Sequence, residues 1–319
     1  MAPAGGQTHG GYTAEGMRPD RRRILLAAAL LGLGAPGRAL AADSVNELEE
    51  HEIDVPGERL ASRCLVLVPR GAPVAGRRLL VLCHGLGETS SEGLGIRAFA
   101  DRYGLLRSFE RLRAPPVARV LKDVKFLTDG RLAELNAELG RRPFQGFVIA
   151  CPFTPNVFKQ PSTEGALTRY AAWLADGVLP IVRRTFGVAD GPEAVALDGV
   201  SLGGYVSLEV FLRRPELFGA IGCMQGAFGV PLADQYAARF AEVLDRVGKR
   251  SLRIATSTGD GGRAASERLA KKLNQRGIAH TFSLSTGPHD QRWLREVGTL
   301  ELLLHYDRAL PLAARAEGT

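Results

Sequence analysis

The stretch DGVSLGGYVSLEVFLRRPELFGA, residues 198–220, decides the fold because it sets one serine, Ser201, between two glycines. Gly199 and Gly203 complete the pattern G-x-S-x-G. In a nucleophile elbow of this pattern, the serine lies on a sharp turn from a strand into a helix, and only small residues fit beside it because neighbouring backbone crowds the turn. The pattern is short enough to occur by chance, so its surroundings must be tested.

The surroundings of the serine are those of an elbow. AVALDGV before it is typical of a buried strand, and LGGYVSLEVFLRRP after it is typical of a helix that ends at Pro215. The alternative is a tight glycine turn with an idle serine. The elbow predicts that Ser201 is a nucleophile and that the N–H of Leu202 points toward the acyl oxygen.

Short apolar runs rich in Val, Ile and Leu recur along the chain and alternate with helical patterns. The predicted strands are 63–69, 78–85, 144–153, 193–201, 218–228, 252–260 and 279–289, and the predicted helices include 168–187, 267–277 and 291–310. Continuous apolar strands that alternate with helices indicate a doubly wound, mostly parallel α/β sheet.

About sixty residues separate the second and third predicted strands, far more than one crossover needs. Apolar residues at helical spacing in 117–124 and 132–139 predict a helical insertion over about 100–142. Residues 102–142 hold ten Lys or Arg and five Asp or Glu, a net charge of +5. The insertion could cap the active site and attract anionic substrates, or it could pack at the side with a solvated charged face.

A serine nucleophile needs a base and an acid at the ends of later strands. Three histidines follow the serine: His280 in a predicted strand, His305 in the last predicted helix, and His289 in the loop between them. Loops at strand ends carry catalysis in this kind of fold, so His289 is the predicted base. Asp260 ends the strand 252–260 and is the predicted acid. Its rivals are typical of exposed helix faces: Asp234, Asp245 and Glu267.

The order Ser201, Asp260, His289 is the order of the α/β-hydrolase triad. The second donor of an oxyanion hole should come from a loop after an earlier strand, and HGLG at 84–87 offers the N–H of Leu86. Asp290, next to the predicted base, is expected to be a helix N-cap.

The chain resembles the esterase family of α/β hydrolases, which includes esterase D-like, feruloyl, acetylxylan and enterochelin esterases and the mycolyltransferases. The resemblance lies in YAAWLADGVLPIVRRTFGV, LDGVSLGGYVSLEVFLRRPELFGAIGCMQGAF and GPHDQRWLREVG, and it spans residues 78–310. It implies an α/β-hydrolase fold and hydrolysis of acyl esters by a serine, with no cofactor or metal. The family acts on sugar, phenolic, thioester and lipid substrates.

Two other functions stay open. An acyltransferase or a serine peptidase would use the same triad with another acceptor or leaving group. A non-catalytic binding protein of this fold would usually have lost a triad member, and none is missing here.

The N-terminus predicts export. Residues 1–41 combine a basic start, an apolar run from Ile24 to about Leu33 and an A-x-A cleavage site at 39–41, as signal peptides do. Arg21-Arg22 resembles a twin-arginine signal, although an ordinary secretory signal also has a basic start. The apolar run is too short for a transmembrane helix. We therefore expect a periplasmic or secreted enzyme whose hydrolase domain spans 42–319.

Charge and cysteine content limit the partners and the chemistry. The net charge is +7, and removal of residues 1–41 lowers it to +4 (36 basic minus 32 acidic residues), which is too mild to indicate nucleic-acid binding. The expected partner is a small-molecule, carbohydrate or lipid ester.

Four cysteines lie in or beside apolar runs without metal-ligand spacing: Cys64, Cys83, Cys151 and Cys223. They are expected to be separate buried thiols, although an exported protein can also form a disulfide.

Overall fold

Eight strands form one mixed sheet in the computed structural model, which describes residues 47–71 and 73–311. The strands are β1 Leu48–Asp54, β2 Arg63–Pro69, β3 Leu79–Cys83, β4 Val148–Pro152, β5 Val195–Gly199, β6 Ala220–Met224, β7 Ser251–Gly259 and β8 Thr281–Pro288. Their order is β1-β2-β4-β3-β5-β6-β7-β8. The first two pairings, β1 with β2 and β2 with β4, are antiparallel, and all later pairings are parallel.

Helices cover the sheet and connect its strands. They are α1 Glu92–Ile96, α2 Leu105–Arg113, α3 Asp129–Arg141, α4 Thr163–Trp173, α5 Leu179–Phe186, α6 Leu202–Arg213, α7 Val230–Val247, α8 Arg263–Gln275, α9 Gln291–Trp293 and α10 Thr299–Ala309. A π-helical turn at Leu174–Val178 joins α4 to α5, and another at Leu294–Gly298 joins α9 to α10. The predicted α/β-hydrolase fold is therefore confirmed.

The centre of the sheet lies in the core because both of its faces are covered. Every residue of β3, β4, β5 and β6 is buried, as expected for continuous apolar strands in parallel pairing. The carboxyl ends of the parallel strands therefore meet along one edge, where this fold class places its ligands.

The insertion is helical, and one of its two predicted helical stretches is confirmed: 132–139 lies within α3, whereas 117–124 does not form a helix. Its helices are α2 and α3, and residues 117–128 between them form a loop. Tertiary hydrogen bonds hold this loop: the N–H groups of Val120 and Leu121 donate to Glu296 Oε2 at 2.8 and 2.7 Å, and Val117 N–H donates to Asn136 Oδ1 at 2.6 Å. These bonds replace the backbone bonds that a helix would need.

The insertion lies against the last helices of the chain. Helix α2 packs on α10, and arginines of the insertion pair with acidic residues there. Arg131 donates from Nε and Nη2 to the carboxylate of Glu301 at 2.7 and 2.8 Å, and Arg111 pairs with the buried Glu296 at 3.4 Å. Much of the basic charge is thus paired with carboxylates. A cap over the active site remains a prediction.

The four cysteines are free and buried, as predicted. Burial raises the pKa of the Cys83 thiol to about 12, so this cysteine stays protonated and behaves as a small apolar side chain.

The predicted signal peptide lies outside the described residues. Within the part of the chain that the structure describes, no helix combines the length and the apolar composition needed to cross a membrane.

Candidate active site

Ser201 lies on the turn from β5 into α6 and has a backbone conformation that side chains rarely adopt, with φ +58° and ψ −118°. Such a conformation costs about 1–3 kcal/mol and persists only where its surroundings impose it. Here Ser201 N–H donates to Met224 O at 3.0 Å, and Ser201 O accepts from Ala227 N at 2.9 Å. The ends of β5 and β6 therefore fix the serine in an elbow, as the sequence predicts.

The glycines around the serine are required by backbone contact. A Cβ at Gly203 would lie 2.0 Å from Cys83 O, and one at Gly199 would lie 2.3 Å from Gly203 O. Neither contact can be relieved by moving a flexible side chain, because backbone atoms are on both sides. The elbow thus packs directly on the end of β3.

Asp260 and His289 meet at the same edge of the sheet. Asp260 directly follows β7 and His289 directly follows β8, and these strands are parallel neighbours. His289 Nδ1 lies 2.7 Å from Asp260 Oδ1. The Asp260 side chain is completely buried, whereas the His289 side chain is 37% exposed. The imidazole of this pair is therefore partly accessible to a reactant.

Hydrogen bonds keep Asp260 ionised despite its burial. Burial opposes ionisation, but donation from His289, from Thr256 Oγ1 at 2.6 Å and from Gly262 N at 2.9 Å outweighs it. The net result is a pKa below the ordinary value of an aspartate. A carboxylate that accepts several hydrogen bonds in this way is a strong acceptor for an imidazole N–H.

The rival acids and bases lie elsewhere. Asp234 pairs with Arg268 at 2.8 Å, Glu267 pairs with Arg263 at 2.7 Å, and Asp245 is exposed on α7. His280 precedes β8 rather than lying within it, at the strand's opposite end from His289, and His305 lies within α10.

The loop after β3 lies beside the serine. A Cβ placed on Gly85 would be 3.7 Å from Ser201 Cβ, so the backbone of this loop approaches the elbow closely. Leu86 begins a 3₁₀ turn and Leu202 begins α6. Among the described residues, neither of these two N–H groups has a hydrogen-bond acceptor. Both are free to bind an anion.

Tyr103 and Glu88 support this loop from behind, a contact that sequence reasoning missed. Gly85 N–H donates to Tyr103 Oη at 3.2 Å, and Tyr103 Oη donates in turn to Glu88, which also pairs with Arg102 at 3.1 Å. Burial and the neighbouring Glu88 carboxylate raise the pKa of Tyr103, so its hydroxyl stays protonated. Gly85 N–H is thus already bonded, whereas Leu86 N–H has no acceptor among the described residues.

His84 holds the other side of the loop. His84 Nδ1–H donates to Gly85 O at 2.9 Å, and His84 Nε2 accepts from Thr154 N at 2.9 Å. Burial lowers the pKa of His84 to about 4, so the imidazole is neutral and can accept a proton at Nε2 only by losing the bond from Thr154.

Gln225 supports the histidine loop. It directly follows β6 with a φ of +47°, and its Nε2 donates to Ser257 Oγ at 2.7 Å and to Pro288 O at 3.1 Å. Pro288 directly precedes His289. The φ of Gln225 is left-handed, which no feature of the sequence reveals, so sequence reasoning missed this contact too.

Asp290 is the N-cap of α9, as predicted, because its Oδ1 accepts from Trp293 N at 2.9 Å. Trp293 is buried, and its indole Nε1 donates to Ser285 Oγ at 2.9 Å. Helix α9, which follows His289, is therefore held in place by the cap at Asp290 and by the buried Trp293.

Comparison with known proteins assigns this arrangement to a family. Residues 148–292, which include Ser201, Asp260 and His289, match the family model described as "Putative esterase". Over this part of the chain, the sequence is that of the esterase family. The protein is a serine hydrolase that acts on carboxylic ester bonds.

Solved structures share the fold of this esterase at low sequence identity. A ferulic acid esterase is 14% identical with a TM-score of 0.60, over 82% of this chain and 99% of the other. The S-formylglutathione hydrolase of Staphylococcus aureus is 13% identical with a TM-score of 0.54, over 82% and 97%. The ferulic acid esterase of Anaeromyces mucronatus, in complex with ferulic acid, is 15% identical with a TM-score of 0.56, over 85% and 95%. A search of curated proteins by sequence found no significant match.

Proposed function

We propose that this esterase is an exported enzyme in which Ser201, His289 and Asp260 form the catalytic triad and pass the substrate through an acyl-enzyme. The observation that carries the proposal is the 2.7 Å contact between His289 Nδ1 and the buried Asp260, at the same sheet edge as a serine in a strained elbow. The three side chains come from the ends of β5, β7 and β8.

The geometry supports a specific proton path. Asp260 accepts the Nδ1–H of His289, which leaves Nε2 as the free base of the ring. Ser201 Oγ attacks the ester carbonyl carbon while its proton passes to His289 Nε2. The imidazolium then gives this proton to the leaving alcohol, and the ionised Asp260 stabilises the positive charge while it lasts.

Two backbone N–H groups serve as the oxyanion hole. Those of Leu86 and Leu202 have no protein acceptor among the described residues. Leu202 directly follows the serine, and Leu86 follows Gly85, where a Cβ would be 3.7 Å from Ser201 Cβ. The N–H of Leu202 also lies at the positive end of α6, which favours a developing negative charge. Donors of this kind are worth about 3–4 kcal/mol each in transition-state stabilisation.

Water completes the cycle. With His289 again acting as base, a water molecule attacks the acyl carbon, and the acid product leaves Ser201. Acyl transfer to a sugar or lipid alcohol and peptide hydrolysis are the alternatives, because both use the same groups. The names of the structural neighbours, ferulic acid esterase and S-formylglutathione hydrolase, favour a small-molecule ester as substrate.

Hydrolysis and transfer are separated by one experiment. The enzyme is given p-nitrophenyl esters of increasing acyl length, beside acetylated and feruloylated sugars, with no added acceptor alcohol. Hydrolysis predicts steady release of p-nitrophenol and free acid in equal amounts over many turnovers. A burst of one equivalent that stalls until a sugar or lipid alcohol is added would show an acyltransferase instead.

Export is the second part of the proposal, and the N-terminal sequence supports it. A basic start, a short apolar run and a small-residue cleavage site precede the hydrolase domain within residues 1–41. We infer a periplasmic or secreted enzyme, translocated by the twin-arginine route.

A further inference from the structure

A cavity lies apart from the candidate active site. It has a volume of about 490 Å³ and lies between the face of β7 and β8, the insertion, and helix α10. Ser201, Asp260 and His289 do not line it. Its size falls in the range of small-molecule sites, which is about 300–1,000 Å³.

The walls of this cavity are mainly apolar. Phe126 and Leu127 line it from the insertion, Trp293 from α9, and Leu304 from α10. Flat aromatic and branched aliphatic walls of this kind favour an aryl or alkyl group.

His305 is an unpartnered polar group in the wall. Its Nε2 is buried and has no hydrogen-bond partner among the residues that the structure describes, which is rare for a buried polar atom in a folded protein. Burial, and secondarily the neighbouring Arg253, lower the pKa of His305 to about 3, so the ring is neutral. A neutral imidazole can place its one proton on Nε2 and donate it to a ligand oxygen.

Arg253 supplies further donors at the same wall. It is 4% exposed, and among the described residues its guanidinium makes one hydrogen bond, from Nη1 to Asp198 Oδ2 at 3.0 Å. Asp198 also accepts from Tyr306 Oη at 2.8 Å and from Gly199 N at 2.6 Å, so its oxygens are well supplied with donors. The other N–H groups of the Arg253 guanidinium have no acceptor among the described residues.

The carboxylates around the cavity do not satisfy these donors because each is paired with another arginine. Glu301 accepts two hydrogen bonds from Arg131, and Glu138 accepts from Arg308 Nε at 2.8 Å. Among the described residues, His305 and Arg253 therefore present donors at this wall that no carboxylate accepts.

We propose that this cavity is a non-catalytic binding site for an amphipathic monocarboxylate. The carboxylate accepts hydrogen bonds from His305 and Arg253, and the aryl or alkyl body lies against Phe126, Trp293 and Leu304. The proposal rests on this cavity alone and is independent of the chemistry at Ser201.

Calorimetric titration of the full chain with octanoate tests the location of the site. A Ser201→Ala background removes turnover. Ser283 and Thr281 line the cavity from exposed positions of the edge strand β8, so Ser283→Phe and Thr281→Phe each fill it with little risk to folding. Each should weaken octanoate binding by about tenfold or more, which corresponds to about 1.4 kcal/mol. The control, Phe282→Trp, enlarges a side chain of the same strand that does not line the cavity, and it should change binding by less than about twofold.

Recognition of the head group is tested with 1-octanol beside octanoate. His305→Phe keeps a ring of similar shape but removes the donor, so it should weaken octanoate about tenfold and octanol by less than about twofold. No octanoate binding, or unchanged binding in both filling variants, would overturn the site. An equal loss for octanoate and octanol in His305→Phe would overturn the carboxylate assignment. Failure of the serine mechanism would appear in activity assays and would leave these titrations unchanged.

Discussion

His289 Nδ1 lies 2.7 Å from Asp260 Oδ1, although helix α8 and strand β8 separate the two residues in sequence. The parallel pairing of β7 and β8 brings them together, since it places both strand ends at one edge. Hydrogen bonds from Thr256 and Gly262 then aim the carboxylate at the imidazole.

Replacing the acid should impair the chemical step. Asp260→Asn keeps the shape of the side chain but removes the charge and favours the wrong tautomer of His289, so kcat should fall by roughly 10²–10⁴. Steady-state kinetics on a p-nitrophenyl ester measure this fall. Asp234→Asn and Asp290→Asn are matched controls. The first removes only an ion pair at the surface, and the second keeps a good N-cap, so kcat should fall by less than about tenfold in each. Near-full kcat in Asp260→Asn, with a large loss in a control, would move the acid elsewhere.

The phenol of Tyr103 should support the oxyanion hole as a positioning group. Tyr103→Phe frees Gly85 N–H and loosens the loop that carries Leu86, so kcat should fall about tenfold with KM nearly unchanged. Affinity for a boronic acid that mimics the tetrahedral intermediate should fall in parallel with kcat/KM.

The control for Tyr103 removes a different bond to the same residue. Thr299 Oγ1 donates to Tyr103 O at 2.8 Å, so Thr299→Val should lower stability and leave the phenol in place. If both variants lose activity only in proportion to their stability, the phenol has no role in positioning the loop.

Acid should destabilise the fold through His84. Its pKa in the folded state, about 4, is below the value of about 6.5 in the unfolded chain, so the unfolded chain binds more protons between these values. The stabilisation is therefore complete above about pH 6.5 and is lost as the pH falls toward 4. Urea unfolding at pH 7, 5.5 and 4.5 should show a smaller pH dependence in His84→Gln than in the wild type. The control His280→Gln replaces a half-buried ring outside the core, so its stability should depend on pH as that of the wild type does. A wild-type slope in His84→Gln would contradict the neutral, buried imidazole.

The export proposal predicts a strict requirement for two residues. Changing Arg21 and Arg22 to lysine preserves the charge but removes the paired arginines, so the precursor should accumulate in the cytoplasm. Cell fractionation and immunoblotting measure its location. Unchanged export would assign the protein to the general secretory route.

The parts of the site that depend on local sequence could be predicted. The elbow at Ser201 and the strand-end positions of Asp260 and His289 follow from glycine spacing and from apolar runs of strand length. Strand β1 was missed because most of its side chains are polar: it lies at the sheet edge, where Glu49 and Glu52 pair with arginines instead of entering the core. Tertiary contacts explain the other differences. Glu296 holds 117–128 as a loop, and Tyr103 reaches Gly85, through pairings that no local pattern contains.

The most direct test of the account is covalent labelling with a fluorophosphonate, which reacts with activated serines. The purified protein should be labelled at Ser201, as shown by mass spectrometry of its peptides. Labelling should disappear in Ser201→Ala and become much slower in His289→Ala, because the base that activates the serine is then missing. Labelling at another serine, or undiminished labelling of Ser201→Ala, would contradict the assignment of Ser201 as the nucleophile.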